Sequence, residues 1–469
     1  MAKIRVGYPF PEYVVDEPVL GREAKRLLEK FVGLAQRRVS VKEFCEEFGL
    51  DEGEAEEFLK SLDVSSFGKP LPRQEMEEVV ASARKVVAGL SEAETIARGV
   101  ARSLYGFKVV QPLFEDDDLE EIMVNGFSSP VIVAHRKHGL CKTNLRFKNE
   151  REYGDFLVQV CGGSAGAACD VRLPDGSRAN VVFPPAASEA AVTVRKFRRQ
   201  RLSFVELVEE GVFSSHLAAF LWLCIEGMRV RPLNVLFAGG TASGKTSSLD
   251  AFSCFIPPHE RIISIEDTRE LSLPGKENWV ALEKTEELDL NALLRNSLRM
   301  RPDRIIVGEV RGAEAETLFT AMNIGQNGVL GTLHANSDRD AIQRLEAAPM
   351  NVPRDLIPLL DVVVVQHRVY DGGELKRRVT QVSEVSRIED KIALNEVFKW
   401  DAGKESVVRT QQTSELVEKI ALLSGNPISA VNAELDRRRE IVDFLVEKKV
   451  KSQEDVTEFM KKYYAESLP

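Results

Sequence analysis

The residues from Asn234 to Thr246 constrain the fold more than any other stretch of the chain. A short apolar run ends at Ala238, and the eight residues from Gly239 to Thr246 fit the pattern G-x-x-x-x-G-K-[ST]. Glycines at these positions let backbone N–H groups turn toward one point, where they and the next helix N-terminus bind anionic oxygens. Because the motif needs a strand before it and a helix after it, it predicts an α/β domain.

Two side chains of this segment have specific expected roles toward bound phosphates. The ammonium of Lys245 would meet the β- and γ-phosphates, and the hydroxyl of Thr246 would be a ligand of Mg²⁺. A glycine-rich turn without a ligand is the alternative, and the strand and helix expected on either side favour the nucleotide site. The predicted phosphate-binding residues are Gly239, Gly240, Thr241, Ala242, Ser243, Gly244, Lys245, Thr246 and Ser247.

Polar side chains also follow three other strand-like apolar runs. One run leads into Glu266 and Asp267, the next into Glu309, and the last into His334. In an open, mostly parallel sheet, ligands bind beyond the carboxyl ends of the strands. The sequence therefore predicts that these side chains and the phosphate-binding loop form one site.

Each of these side chains also has an ordinary structural interpretation. Glu309 could cap a helix, or it could polarise the attacking water or hold Mg²⁺ through a water. Glu266, Asp267 and Glu270 could be loop carboxylates, or they could assist the metal ion or the water. His334 could be a satisfied core histidine or a sensor of the nucleotide. Position in the sequence does not decide between these alternatives.

Basic residues recur in the strand-like region before the phosphate-binding loop. The segment Leu173–Ser177 predicts a turn, because Pro presets φ and Gly tolerates positive φ. If Asp175 is at its centre, Arg172 and Arg178 face each other across the two arms, which is unfavourable for like charges. Either both extend into solvent, or they converge on an anion such as a nucleotide phosphate. A second basic strand contains Arg195 and ends this region near Arg199.

Composition limits the class of protein. The chain has 469 residues, enough for about three domains, and a formal net charge of −10, which argues against a protein that mainly wraps nucleic acid. Its six cysteines lack C-x-x-C spacing, which favours a reducing cytosol and predicts no zinc site. The N-terminus lacks the apolar region of a signal peptide, and no run is long enough to span a membrane. We therefore expect any membrane role to depend on a partner.

Changes in pattern along the chain predict five segments. Residues 1–105 read as short helices with capping boxes such as Ser40 to Glu43, and residues 106–199 as an α+β domain. Residues 200–214, with a capping box at Ser203 and a break at Gly211, are expected to be a linker and a hinge. Residues 215–370 are the α/β domain with the phosphate-binding loop, and residues 371–469 are a C-terminal module of two strands followed by three helices.

The motifs together resemble those of the secretion-superfamily ATPases of type II and type IV secretion, type IV pili and the archaellum. In that family, the phosphate-binding loop is Walker A, Ser264–Glu270 is the Asp box, Arg301–Arg311 is Walker B and Gly331–Asn336 is the His box. The segments around Arg172, Arg178 and Arg195 also look like the N-terminal domain of that family. The C-terminal part is most similar to the archaeal archaellum and pilus branch. One departure is Gly308, where ordinary P-loop enzymes have an Asp before the carboxylate.

This resemblance implies a RecA-like P-loop domain with a smaller α+β N-terminal domain, here preceded by a helical module and followed by a mixed, mainly helical C-terminal module. It implies ATP and Mg²⁺ as substrate and metal, with Thr246, Glu309 and Asp267 at the metal. The catalytic residues that it implies are Glu309, Glu266, Glu270, Arg172, Arg178, Arg195 and His334. Whether Glu309 or a carboxylate of the Asp box is the base stays open.

The resemblance further implies a homohexameric motor at the cytoplasmic face of a membrane. Its expected partners are a polytopic inner-membrane platform protein and accessory cytosolic motor components, and no nucleic acid is expected. The motor would power assembly or rotation of a pilus-like filament, or protein secretion. The alternatives are a nucleic-acid translocase of the same P-loop class, an archaeal secretion ATPase with protein cargo, and a nucleotide-binding scaffold without turnover.

Overall fold

A computed structural model describes residues 2–5, 10–15, 22–37, 39–48, 52–62, 70–88, 92–162, 166–197, 201–371 and 374–466. The chain forms two compact units, Met1–Gln200 and Arg201–Pro469. Predictions for Arg198, Arg199 and Gln200 lie outside the described residues. None of the described helices combines the length and apolar character that a membrane span requires.

The first unit is built on an eight-stranded sheet in the order β1-β2-β5-β4-β3-β8-β7-β6. All of its pairings are antiparallel except β2 with β5. The strands are β1 (Ala2–Arg5), β2 (Glu12–Val15), β3 (Leu119–Asn125), β4 (Ile132–His135), β5 (Gly139–Thr143), β6 (Ala168–Arg172), β7 (Arg178–Val182) and β8 (Ala191–Arg195).

Helices of the first unit form two groups. The first five share a core around Phe31, Phe44 and Phe58. The last helix buries Tyr153 and Phe156 in the core of the sheet. The helices are α1 (Arg22–Arg37), α2 (Val41–Phe48), α3 (Glu52–Ser61), α4 (Arg73–Val86), α5 (Ala93–Tyr105), α6 (Gln111–Glu115) and α7 (Glu150–Cys161).

The first 105 residues differ from the purely helical module that their sequence predicts. Strands β1 and β2 pair with each other, and β2 pairs with β5 by placing Glu12 opposite Lys142. Tyr13, the residue after Glu12, is buried in the core of that sheet. Each strand is only four residues long, too short to show a clear alternation of apolar and polar residues. Strand β5, which pairs with β2, lies far along the chain, so the local sequence pattern could not reveal this pairing.

The second unit contains a nine-stranded sheet in the order β11-β10-β12-β13-β9-β14-β15-β16-β17. The pairings from β11 to β14 are parallel, and those from β14 to β17 are antiparallel. The strands are β9 (Val235–Gly239), β10 (Ile262–Glu266), β11 (Trp279–Glu283), β12 (Arg304–Val310), β13 (Leu330–His334), β14 (Val362–Asp371), β15 (Glu374–Ile388), β16 (Lys391–Asp401) and β17 (Ser406–Arg409).

Both faces of this sheet are covered. Val235 and Phe237 of β9 point into one hydrophobic core, whereas Leu236 and Ala238 point into a second core on the other face. The helices are α8 (Phe204–Glu209), α9 (Ser215–Glu226), α10 (Lys245–Phe252), α11 (Leu290–Ser297), α12 (Glu314–Asn323), α13 (Asp338–Glu346), α14 (Glu415–Ser424), α15 (Ile428–Glu447) and α16 (Gln453–Glu466). The predicted RecA-like α/β fold with a smaller α+β N-terminal domain is confirmed.

The segment expected to be a linker is largely packed. Ser203 forms the predicted capping box with Glu206 and starts α8. Phe204 and Phe213 are buried in one of the two cores that flank the nine-stranded sheet. The burial of these apolar side chains holds the segment in place despite the glycine at residue 211. Residues 203–213 therefore belong to the second unit and do not form a free hinge.

The predicted boundary at residue 370 falls inside β14. Strands β15 to β17 continue the same sheet, and α15 packs on α9 through a buried ion pair between Arg438 and Glu226, 2.7 Å apart. Arg438 also lies over the ring of Trp222, 4.9 Å from its centroid. Without β15 to β17, strand β14 would be an edge strand with unpaired backbone N–H and C=O groups. The C-terminal residues therefore belong to the second unit and extend its sheet.

Candidate functional site

The phosphate-binding loop connects the end of β9 to the start of α10. Ala242 and Gly244 adopt positive φ values of 57° and 96°. At Gly244, a β-carbon would be strained and would lie 3.2 Å from the Cδ atom of Arg377. The backbone conformation therefore favours glycine there, and a β-carbon would also press on the side chain of Arg377. The helix then begins at Lys245, which places Thr246 and Ser247, both half-buried, in its first turn.

Lys245 is buried and contacts two groups of the site. Its Nζ atom donates a hydrogen bond to the Gly240 carbonyl, 2.8 Å away, and lies 3.4 Å from Nδ1 of His334. A lysine ammonium is seldom buried without polar partners. These contacts hold the charge of Lys245 at the mouth of the loop.

His334 links Lys245 to Glu309. Its Nε2 atom lies 3.3 Å from Oε1 of Glu309. Burial, and then the positive charge of Lys245, lower the pKa of His334, so the ring is neutral at neutral pH. If Lys245 donates to Nδ1 of the neutral ring, the ring proton is on Nε2, the atom that faces Glu309. Lys245, His334 and Glu309 thus form one row of neighbouring polar side chains, defined here as the catalytic chain.

Sheet topology explains why these three residues meet. Strand β13 lies between β9 and β12, and its His334 is in register with Gly239. The register of β12 against β13 shifts between Val307 and Val310, an irregularity that re-aims the side chain of Glu309. The Thr332 hydroxyl fixes this irregularity by donating to the Gly308 carbonyl at 2.6 Å.

Glu266 lies at the end of β10 beside the catalytic chain. Its Oε1 atom accepts hydrogen bonds from the backbone N–H groups of Glu270 and Leu271, at 2.9 and 3.0 Å. The buried Oε2 atom has no hydrogen-bond partner among the described residues. Burial raises the pKa of Glu266 to about 7. The carboxyl therefore titrates near neutral pH, which suits a group that handles a proton or a water.

Gly308 leaves room for Glu266. A β-carbon at residue 308 would lie 2.9 Å from Cγ of Glu266. A larger residue such as the Asp of ordinary P-loop enzymes would displace that side chain. The departure noted in the sequence therefore has a packing reason, since Glu266 fills the space beside Glu309.

Asp267 is placed differently from Glu266. Its carboxylate forms an ion pair with Arg311, and Nζ of Lys284 lies 3.8 Å from it. The predicted metal ligand is thus engaged by two cations. Glu270 is the remaining carboxylate residue of the Asp box. Its backbone N–H donates a hydrogen bond to Glu266, which places Glu270 beside the site.

The donor set of the site suits Mg²⁺. Thr246 supplies a half-buried hydroxyl at the start of α10, and Glu309 supplies a half-buried carboxylate at the end of β12. Both are hard oxygen donors, and Mg²⁺ takes one or two protein ligands, keeps several waters and binds phosphate oxygens. These two residues would hold the ion, Glu309 through a water. Asp267 is less suited because two cations already contact it.

The three arginines of the first unit form a row across its sheet. Arg172 of β6 is directly opposite Arg178 of β7, and Arg178 is directly opposite Arg195 of β8. The turn between β6 and β7 is centred on Asp175, as predicted, with the Leu173 N–H donating to the Ser177 carbonyl at 2.7 Å. Directly opposed residues share a face of the sheet. Arg172 and Arg195 are exposed and Arg178 is half-buried, and we call these residues the arginine row.

Sequence reasoning missed two residues that contact the phosphate-binding loop. Arg377 of β15 donates through Nε to the Ala242 carbonyl at 3.1 Å. Gln366 of β14 donates through Nε2 to the hydroxyl of Ser248 in α10 at 2.8 Å. Neither residue belongs to a recognisable motif. Their contacts with the loop depend on the pairing of β14 with β9 and with β15, which only the structure shows.

Comparisons with known proteins identify the family. The profile of the family described as "Type II/IV secretion system protein" matches residues 131–462. An uncharacterized protein of Methanocaldococcus jannaschii, MJ0900, is 35% identical over 388 residues, 78% of this chain and 69% of that protein. The probable conjugal transfer protein TrbB of Sinorhizobium fredii is 32% identical over 289 residues, 58% of this chain and 85% of that protein.

One of the similar solved structures is an ATPase of a type IV secretion system. The VirB11 ATPase of the Brucella suis type IV secretion system, solved in complex with sulphate, is 26% identical, with a TM-score of 0.32, covering 59% of this chain and 93% of VirB11. The family profile alone covers well over half of the chain. The chain therefore belongs to the type II/IV secretion system protein family, and the resemblance to the secretion-superfamily ATPases is confirmed.

Proposed function

We propose that this protein hydrolyses ATP and uses the energy to move a partner in a secretion or pilus-type machine. The observation that carries the proposal is the catalytic chain, Lys245–His334–Glu309, at the mouth of a phosphate-binding loop. Membership of the secretion family supports the same activity.

Transfer of a phosphoryl group to water depends mainly on positioning and on charge stabilisation. Lys245 would bind the β- and γ-phosphates, and the loop backbone would cradle them. Glu309 would orient the attacking water, and His334 would donate to Glu309 and fix its carboxylate. Mg²⁺ held by Thr246, and by Glu309 through a water, would neutralise the charge that develops on the phosphate oxygens.

We assign to the arginine row the stabilisation of the γ-phosphate from the first unit. A well-placed arginine contributes about 10³ to 10⁵ in rate to phosphoryl transfer. ATP gripped by both units would hold them together, and loss of the γ-phosphate would release them. Hydrolysis would then produce a movement of one unit relative to the other.

The wider setting is part of the proposal. The working form is a homohexamer at the cytoplasmic face of a membrane, docked on a polytopic membrane platform with accessory cytosolic components. Its output is assembly or rotation of a pilus-like filament or export of protein cargo. Names of relatives, such as the type IV secretion system protein PtlH of Bordetella pertussis, support this setting.

Steady-state phosphate release tests the proposed reaction. The full chain is compared with Lys245→Ala and Glu309→Gln in Mg²⁺ and ATP. We expect Glu309→Gln to bind ATP but to hydrolyse it about 10² to 10⁴ times more slowly, because it retains shape and loses the charge that orients water. Equal rates for wild type and both variants would contradict the ATPase assignment and favour a scaffold without turnover.

A second candidate is a nucleic-acid translocase, which the conjugal transfer proteins among the relatives bring into consideration. The acidic composition disfavours it. Measuring phosphate release with and without single-stranded and duplex DNA separates the two candidates. Strong stimulation by DNA would favour the translocase, and an unchanged rate would favour the protein-directed motor.

A further inference from the structure

The hairpin of β14 and β15 contacts the phosphate-binding loop at two separate points. At the base of the loop, Gln366 is in register with Gly239. The same residue is completely buried, and its side-chain amide donates to Ser248 in α10. The pairing of β14 with β15 shifts register between Val365 and Gln366. This irregularity marks the point where the hairpin leaves the sheet core and passes beside the nucleotide site.

At the crest of the loop, the contact is made by Arg377. Its Nε atom donates to the carbonyl of Ala242 at 3.1 Å. Ala242 is the non-glycine residue of the loop with a positive φ, 57°, a conformation that costs free energy unless its surroundings hold it. The aliphatic part of Arg377 also covers Gly244. One side chain therefore contacts two of the positive-φ residues of the loop, Ala242 and Gly244.

The cross-strand neighbour of Arg377 is another arginine. Arg377 is directly opposite Arg368 of β14, and like charges at directly opposed positions destabilise a strand pair. Arg368 is exposed, whereas Arg377 is half-buried against the loop. Of these two neighbours, the carbonyl of Ala242 accepts a hydrogen bond from Arg377, whereas Arg368 carries a like charge.

We infer that Arg377 is a positioning residue that holds the crest of the phosphate-binding loop in its ATP-binding conformation. The inference rests on the proposed ATP-binding function and adds a residue outside every motif of the sequence. It also makes the β14–β15 hairpin, which continues into the C-terminal strands, a physical connection between that part of the sheet and the nucleotide.

The test compares Arg377→Ala, Arg377→Lys and the matched control Arg368→Ala in the full chain with Mg²⁺. Titration with a fluorescent ATP analogue gives Kd, and steady-state phosphate release gives KM and kcat. We expect Arg377→Ala to weaken binding about tenfold, the loss expected for one charge-assisted hydrogen bond. At saturating ATP, kcat should stay within about twofold of wild type, because Arg377 is expected to act on binding through the loop.

The other two variants and a stability measurement complete the test. Arg377→Lys keeps a donor for the Ala242 carbonyl and should bind ATP within about threefold of wild type. Arg368→Ala should bind as wild type does, and the thermal midpoints without nucleotide should be similar for the two alanine variants. Unchanged binding by Arg377→Ala, or an equal loss in Arg368→Ala, would overturn the inference. A wild-type chain that binds no ATP would overturn the proposed function as well.

Discussion

The two sheets of this molecule bring charged side chains together in different ways. In the first unit, Arg172, Arg178 and Arg195 are aligned across three antiparallel strands by their register. In the second unit, Glu309 and His334 lie at the ends of parallel strands and meet Lys245 beside them. The first arrangement aligns three side chains of like charge, and the second brings together an ammonium, an imidazole and a carboxylate.

This difference indicates what each cluster is for. Three guanidinium groups on one face of a sheet concentrate positive charge, which suits a role in binding an anion. The catalytic chain holds groups of complementary character in contact, so these groups are placed together without a ligand. We therefore expect substitutions in the arginine row to affect turnover but not stability, and substitutions in the catalytic chain to affect turnover and, to some extent, stability.

The largest effect is expected for the half-buried arginine of the row. Arg178→Ala should lower kcat by about 10³ or more while changing ATP affinity much less, because the arginine acts mainly on charge that develops during transfer. Thermal unfolding should show no loss of stability, since a cross-strand repulsion is removed. Arg151→Ala, an exposed arginine of α7, is the matched control. Matched losses of affinity and rate would mean that the row only holds ground-state ATP.

An intermediate effect is expected at the centre of the catalytic chain. His334→Ala should lower kcat by about 10², because Glu309 loses the donor that orients its carboxylate. The double variant with Glu309→Gln should be hardly slower than Glu309→Gln alone, since the two residues act as a unit. His259→Ala, at an exposed histidine, is the control. Additive losses in the double variant would show that the two side chains act independently.

The smallest effect is a change with pH that depends on Glu266. With a pKa of about 7, its carboxyl is mostly protonated at pH 6. If hydrolysis requires the ionised carboxylate of Glu266, kcat at one pH unit below that pKa should be about tenfold lower than its plateau at high pH. Glu266→Gln should remove this limb of the profile. An identical limb in the variant would assign the titration to another group.

The same carboxyl makes a prediction about stability. The folded chain holds the proton of Glu266 up to about pH 7, whereas an unfolded glutamate releases it near its ordinary pKa. Between those values the folded state binds more protons, so the contribution of Glu266 to stability decreases as pH rises. Thermal unfolding of wild type and Glu266→Gln across this range checks the sign.

Sequence reasoning located the parts of the site that depend on local motifs. The phosphate-binding loop, Glu309 and His334 follow from short patterns, because parallel strands carry their carboxyl ends to one edge. The Arg172–Arg178 pair followed from a single tight turn. Pairings between distant segments were missed, including β2 with β5 and the contacts of Gln366 and Arg377. No local signal encodes such pairings, since they depend on the register of strands far apart in the chain.

Asp267 and the segment 203–213 show a second limit. A carboxylate in a motif was expected at the metal, but the structure gives it two cationic partners. A glycine break was expected to be a hinge, but apolar side chains bury the residues around it. In both cases the competing interaction comes from residues remote in sequence, and it outweighs the local pattern.

In the proposed mechanism, ATP would hold the two units together and loss of the γ-phosphate would release them. Spin labels on genetically encoded residues at Val158 of α7 and Ile324 after α12, both exposed, report the distance between the units by double electron–electron resonance. In the Glu309→Gln variant, we predict a shorter and narrower distance distribution with Mg²⁺–ATP than with ADP. Identical distributions in the two nucleotides would contradict the account.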